Sequence, residues 1–262
     1  MTAWPEHSKN WNKLGPPLKP SPITIDTYAK LIPTGPIILL GVTPEIYHRF
    51  DNILAIDYNT DMIKNVWPGN TETKIAISDD WRQVICKEQY YSGIVGDLSL
   101  TLMDDLDTVS EFNQKSLLWL KDKGVMAQRI FHLPSTPVTR DKIVDMMNNP
   151  ATINWHAFKW LLHMCLSNET SVRRVRQADV RDMFNEICTD RQKLSDITGW
   201  SLEAINTIDF YENATQEITV ATKDEWLKTV PANATETSLI YTHTPEYDLS
   251  ELFPILTYKR NV

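Results

Sequence analysis

Five short, largely apolar runs constrain this chain more than any other feature: Ile37–Leu40, Ile53–Ile56, Lys74–Ile77, Tyr91–Val95 and Gly124–Phe131. A strand with one wet face alternates apolar and polar residues, whereas a run without alternation is covered on both faces, as in a parallel sheet. Between the runs lie segments of helical spacing: a short one at Ile46–Phe50, then Asp61–Val66 and Ser110–Leu120. Strands alternating with helices in this way predict βαβ units. Right-handed crossovers then bring the strand C-termini to one edge, where the ligand crevice of such sheets lies. Gly41, Asp57, Asp80, Asp97 and Arg129–His132 all fall at or just past those predicted ends.

The flanking sequence reads differently. Pro16, Pro17, Pro20 and Pro22 forbid a continuous helix near the N-terminus, and Trp4 and Trp11 are large enough to dock that arm onto the body. Thr24–Ile32 predicts a short helix. Arg140 to Ile197 is mostly helical by pattern, with Trp155, Phe158, Leu161 and Leu162 as an apolar stripe. Glu217–Val220 reads as a strand and Asp224–Val230 as a helix. Leu239–Thr242 and Phe253–Tyr258 read as two late strands that complete the sheet. The expected architecture is α/β: a Rossmann-like, doubly wound, mostly parallel seven-stranded sheet with a helical insertion or lid. Its expected parts are an N-terminal arm and helix closing over the site (1–32), a Rossmann-like core (33–137), the helical lid (138–200) and a C-terminal completion of the sheet (201–262).

Composition removes several classes. A net charge of −8 argues against a chain whose main task is gripping nucleic-acid phosphates. No apolar run approaches membrane-spanning length, and the N-terminus carries no targeting signal. The three cysteines, Cys86, Cys165 and Cys188, are widely spaced with no CxxC, so neither a disulfide framework nor a metal site is expected. The reading is a cytoplasmic protein with a small-molecule partner, no nucleic acid, no membrane, and an open oligomeric state. Arg173, Arg174, Arg176 and Arg181 read as a basic stretch on a helix, either a solvated face paired with Asp179, Asp182 and Glu186 or a surface for an acidic partner.

The strand ends carry the chemistry. Gly41 lets backbone approach a ligand without a Cβ clash, and the amides of Val42 and Thr43 can face it; an ordinary tight turn is the other reading. Asp57 ends the next strand, sixteen residues on. A carboxylate there can accept from both vicinal ribose hydroxyls, as in dinucleotide folds, or it can cap the following helix; Asn59 or Thr60 can take the capping role instead. Asp80 can accept the exocyclic amine of adenine while Trp81 covers the ring, or the two are a loop acid and a core aromatic. Asp97 after Gly96 can hold an ammonium group or make a turn. Together these ends describe a nucleoside with free ribose hydroxyls joined to an amino acid, with no phosphate cradle. S-adenosylmethionine fits that description.

The stretch IILLGVTPE at 37–45 resembles the first motif of a group of class I S-adenosylmethionine-dependent methyltransferases. WNKLGPPLKPSP near the N-terminus, AIDYNTDMIKNVWPG at 55–69, DDWRQV at 79–84, GDLSL at 96–100 and MAQRIF at 126–131 resemble that group in the same order, over roughly residues 11–135. IDFYE at 208–212 and ELFPILTYKR at 251–260 resemble it more faintly. The resemblance implies that Gly41, Val42 and Thr43 contact the methionine part of the cofactor. It also implies that Asp57 holds the ribose and that Asp80 and Trp81 lie against adenine; Tyr58, Met62, Asp97 and Leu98 are expected among the cofactor-binding residues as well. Leu98 stands where a glycine is common in that group.

The implied reaction is in-line methyl transfer to an O or N nucleophile of a small molecule, in which alignment supplies much of the acceleration. A base is needed only for a protonated acceptor, and His132 and Tyr28 are candidates, with Arg129 as a carboxylate anchor. As alternatives, His132 is a plain loop residue and Arg129 a structural ion pair. Trp155, His156, Phe158 and Trp160 read either as the cap of an acceptor pocket or as core. Two further readings remain: an enzyme that attacks the aminobutyl chain and releases methylthioadenosine, and a non-catalytic cofactor-binding subunit. A nicotinamide oxidoreductase shares the Asp57 logic but lacks its glycine fingerprint.

Overall fold

Alternate residues of the apolar runs point to opposite sides of one sheet. In β1 (Ile37–Leu40), Ile37 and Leu39 enter one hydrophobic cluster while Ile38 and Leu40 enter another. The computed structural model describes residues 8–241 and 247–260, so Trp4 and Thr242 lie outside the described residues. The parallel strands are β1, β2 (Ile53–Asp57), β3 (Lys74–Ser78), β4 (Tyr91–Asp97) and β5 (Leu120–Arg129). β6 (Arg174–Arg176) and β7 (Glu217–Thr219) follow, then β8 (Ala234–Ile240) and β9 (Ile255–Arg260). The main sheet has seven strands in the order β3-β2-β1-β4-β5-β9-β8, with β9 antiparallel to both neighbours.

Register places the strand ends in one row. Leu40 pairs with Ile56 on one side and Gly96 on the other, so Gly41, Asp57 and Asp97 come next at the same level. Asp57 in turn pairs with Ser78, and Asp97 with Arg129.

Helices cover both faces. α1 (Pro22–Leu31), the single turn α2 (Pro44–Tyr47) and α3 (Thr60–Val66) pack Tyr28, Ile46 and Met62 against one face. Ser21 caps α1 by accepting from Thr24 N at 3.1 Å, and proline stands at the first position of both α1 and α2, where its missing N–H costs nothing. α4 (Leu106–Leu117) lays Val109, Phe112 and Leu117 on the other face. It starts earlier than the periodicity predicts because Asp105 accepts from Thr108 N at 2.7 Å, and it stops sooner because Leu120 already belongs to β5.

The middle of the chain forms a helical layer with its own core: α5 (Arg140–Met147), α6 (Trp155–Thr170), α7 (Gln177–Ile187), α8 (Arg191–Thr198) and the short α9 (Leu202–Asn206). Trp155, Phe158 and Trp200 form its centre, with Trp155 stacked on Phe158 at 5.5 Å between centroids. One expectation is corrected here. Arg174 and Arg176 lie in a strand rather than on a helix, because β6 pairs with β7 as a separate two-stranded antiparallel ribbon. The basic stretch is neutralised locally: Arg173 bridges Glu225, Arg174 bridges Glu217, Arg176 bridges Asp179, and Arg181 bridges Asp209. α10 (Lys223–Lys228) follows β7 with a capping box between Thr222 and Glu225.

Candidate functional site

A cleft of about 960 Å³, open mouth included, lies where the strand-end row meets the helical layer. Its floor is Leu40, Gly41, Val42, Thr43, Asp57 and Asp97. Tyr58, Met62 and Trp81 form one flank, and the 3₁₀ turn Ser99–Leu102 with Leu98 forms another. Trp160, His163, Gln177, Tyr211 and Ile218 approach from the helical layer and the β6–β7 ribbon, and Trp11, Leu14 and Leu18 from the N-terminal arm.

The local sequence explains the floor. Gly41 has φ +96°, a left-handed conformation that side chains resist, and the nearest atom to a Cβ placed there is Asp57 Oδ2 at 3.9 Å. Asp57 is 8% exposed. Its Oδ1 accepts from Asn59 N at 2.8 Å, and among the described residues no other hydrogen bond reaches the carboxylate. Asn59 caps α3 by accepting from Met62 N at 3.0 Å, so Asp57 is not the cap. Burial pushes the Asp57 carboxyl up to about 6, against the pull of the Asn59 amide. Trp81 Nε1 donates to the Ile56 carbonyl at 2.6 Å, which fixes the indole against the end of β2.

Leu98 adopts φ +62°, the conformation glycine takes without cost. The backbone therefore follows the course a glycine would give it, and the side chain is added to the cavity wall. Ser99 Oγ donates to the Leu40 carbonyl at 2.8 Å and ties this turn to β1.

Four of the expected site residues lie outside the lining of this cleft. Asp80 lies in a neighbouring groove outside the cleft, where Arg82 forks onto its carboxylate and holds it below the usual carboxylate range. Tyr28 is fully buried, with its hydroxyl donating to Gly96 O at 2.9 Å and accepting from Arg129 N at 3.1 Å; both roles are spent on joining β4 to β5. Arg129 is 0% exposed and does not line the cleft. Its Nε reaches Asp97 Oδ1 at 2.5 Å and its Nη2 reaches Asp97 Oδ2 at 2.8 Å, while Nη2 also donates to Pro17 O. It is the structural ion pair, not a substrate anchor. His132 is also outside the cleft, its Nδ1 against Leu133 O and its ring edge-on to Tyr241. Asp97 does line the cleft, with both oxygens engaged by Arg129.

Sequence reasoning expected the arm and a helical lid over the site but did not single out Leu14, Leu18, His163, Gln177 or Ile218 as lining it. Trp160 was legible as a pocket candidate, but Trp155 and Phe158 of the same group are core and His156 faces Lys13 O. His163 follows Trp160 by one helical turn and carried no separate signal.

No family model and no curated protein matches this sequence. Solved structures do match the fold. One is a putative S-adenosylmethionine-dependent methyltransferase from Listeria monocytogenes, with a TM-score of 0.52 at 13% identity over 90% of this chain and 97% of that one. Another comes from the complex of the Haloferax volcanii Trm112 methyltransferase activator with the putative methyltransferase, with a TM-score of 0.52 at 9% identity over 100% of this chain and 99% of that one. A protein described as a putative Zn-dependent alcohol dehydrogenase from Rhodobacter sphaeroides aligns with a TM-score of 0.53 at 10% identity, over 100% of this chain and 99% of that one. Likeness at this level concerns fold alone. The fold is that of the class I methyltransferases: a dinucleotide fold continues with a sixth parallel strand, whereas here antiparallel β9 lies beside β5.

Proposed function

We propose that the chain is an S-adenosylmethionine-dependent methyltransferase acting on an O or N nucleophile of a small molecule. One observation carries the reading: a buried carboxylate, Asp57, with one oxygen left for a ligand, beside a left-handed glycine in a cleft at the strand ends. The residues fit the cofactor. Asp57 can accept from both ribose hydroxyls, and Met62 and the fixed indole of Trp81 offer an apolar slot for adenine. The Gly41–Thr43 loop leaves room for the methionine end. When bound, the cofactor supplies a methyl group already activated as a sulfonium. The protein's own task is then to exclude water and to hold an acceptor in line with that methyl.

The test is calorimetric titration with S-adenosylmethionine, followed by Asp57→Ala. Micromolar binding by the natural chain, lost at least ten-fold in the variant with circular dichroism unchanged, is the expected result. Equal affinity in both would remove the ribose assignment. Product analysis separates reaction types: S-adenosylhomocysteine marks methyl transfer, and methylthioadenosine would mark attack on the aminobutyl chain and overturn the proposal.

A further inference from the structure

Three residues on the wall of the cleft opposite the strand ends carry a buried polar atom with no hydrogen-bond partner among the described residues: His163 Nε2, Trp160 Nε1 and Gln177 Oε1. Leaving such an atom unpaired costs roughly 1–3 kcal/mol. Three of them on residues lining one cleft form a pattern of demand: one N–H to be accepted from and two acceptors to be donated to.

The state of the histidine is fixed by its surroundings. His163 Nδ1 lies 2.9 Å from the Lys159 carbonyl, which can only accept, so Nδ1 carries the proton and Nε2 the lone pair. Burial holds the imidazole down to about 4, so it is neutral at physiological pH. Its ring lies 5.4 Å from that of Trp160 and 5.8 Å, edge-on, from that of Tyr211. Lys159 does not line the cleft; its Nζ meets Thr207 Oγ1 at 3.2 Å and the face of Tyr211 at 5.2 Å. The other lining groups on this side are apolar, chiefly Leu14, Leu18 and Ile218.

We infer that this wall is the acceptor site, that it takes an uncharged, flat molecule bearing a nucleophilic O–H or N–H (a phenol or an N–H heteroaromatic), and that His163 Nε2 receives the proton of that group. This rests on the methyl-transfer reading above. In the step, a lone pair of the acceptor oxygen or nitrogen forms the bond to the methyl carbon. The carbon–sulfur pair leaves with sulfur, the O–H or N–H pair stays on the acceptor, and the proton moves to Nε2. The positive charge lost by sulfur appears on the imidazolium, so the cleft buries one positive charge before and after.

The test measures binding to the protein saturated with S-adenosylhomocysteine, using three probes of one shape: naphthol, naphthoate and naphthylmethylamine. Naphthol is expected to bind at least ten-fold more tightly than either charged analogue. His163→Phe keeps a flat ring and removes Nε2; His163→Gln keeps a polar atom without a base. Both are expected to retain S-adenosylmethionine binding, and His163→Phe to weaken naphthol ten-fold or more. With S-adenosylmethionine present, methylation of naphthol is expected to fall about a hundred-fold in both variants. Equal or tighter binding of a charged analogue, no binding of naphthol, or naphthol affinity and turnover unaffected by both variants would each overturn the inference while leaving the cofactor reading in place. Absence of cofactor binding by the natural chain would overturn both.

Discussion

Asp97 and Arg129 form a two-point ion pair between the ends of adjacent strands, with Oδ1–Nε at 2.5 Å and Oδ2–Nη2 at 2.8 Å, and the arginine wholly buried. Burial raises the Asp97 carboxyl, and the guanidinium beside it pulls the other way. Arg129 also reaches Pro17 O and Tyr247 Oη, so one side chain fastens the N-terminal arm and the C-terminal segment to the sheet edge. Removing one partner of a buried pair leaves a bare charge. Arg129→Met is therefore expected to lower stability by about 3–5 kcal/mol in urea denaturation. Arg129→Met combined with Asp97→Asn should recover part of that loss. A loss under 1 kcal/mol in the single variant would show that the pair carries no structural weight.

Asp57 gives a pH signature. Its carboxyl lies at about 6 in the folded chain against an ordinary 3.8, so the folded state holds the proton more tightly. The Asp57 contribution to the stability of the free protein then falls as pH rises between those two values, by on the order of 2–3 kcal/mol, and stays low above. Asp57→Asn is expected to abolish this slope and to be more stable than the natural chain at pH 8. Cofactor affinity should run the other way, rising from pH 5 to 7, since the ionised carboxylate is the better acceptor for ribose hydroxyls. Thermal melts and calorimetry across that range, on the natural chain and Asp57→Asn side by side, check both arms; the same pH profile of stability in both chains would contradict the first.

Leu98 inverts the usual order of substitutions. Its side chain is buried, so truncation to alanine loses packing and keeps the left-handed backbone. Truncation to glycine loses the same packing and releases backbone strain of about 1 kcal/mol. Leu98→Gly is expected to be the more stable of the two in thermal denaturation. The opposite order would mean that the turn at 98 relaxes.

Lys159 is fully buried and its ammonium is held down to about 7 by desolvation alone. The unfolded chain binds more protons than the folded one from that pH up to the ordinary 10.5, so stability rises with pH across that window. Lys159→Met, close in volume and apolar, is expected to remove this rise and to stabilise the protein at pH 6 by at least 1 kcal/mol. Chemical denaturation at pH 6 and 9 compares the two chains.

The sheet was legible because its signal is local. Each apolar run reports its own two-sided burial, and its end marks the crevice, so Gly41, Asp57 and Asp97 could be placed before any coordinates. Asp80 was misplaced because register decides which of the residues after β3 turns inward; Trp81 does, and Asp80 pairs with Arg82. Arg129 and Tyr28 looked reactive because a polar residue at a strand end is the same in sequence whether it faces a ligand or another strand. His163 was invisible for the complementary reason. It lies in a helix whose residues are buried all round, and only the packing of α6 against the β6–β7 ribbon and Tyr211 turns that stretch into a wall of the cleft.

The helical layer has a hydrophobic cluster of its own, distinct from the two that sandwich the sheet. Val42 and Met62 on the cofactor side and Trp160 and Ile218 on the opposite wall therefore fall in different packing units, whereas Leu98 belongs to the unit of the opposite wall. Trp160 is the seam between that wall and the sheet: its ring lies 4.6 Å from that of Phe131 and 5.3 Å from that of Phe253, so a change of this wall residue is felt at the end of the sheet, while His163 and Gln177 lie outside those contacts.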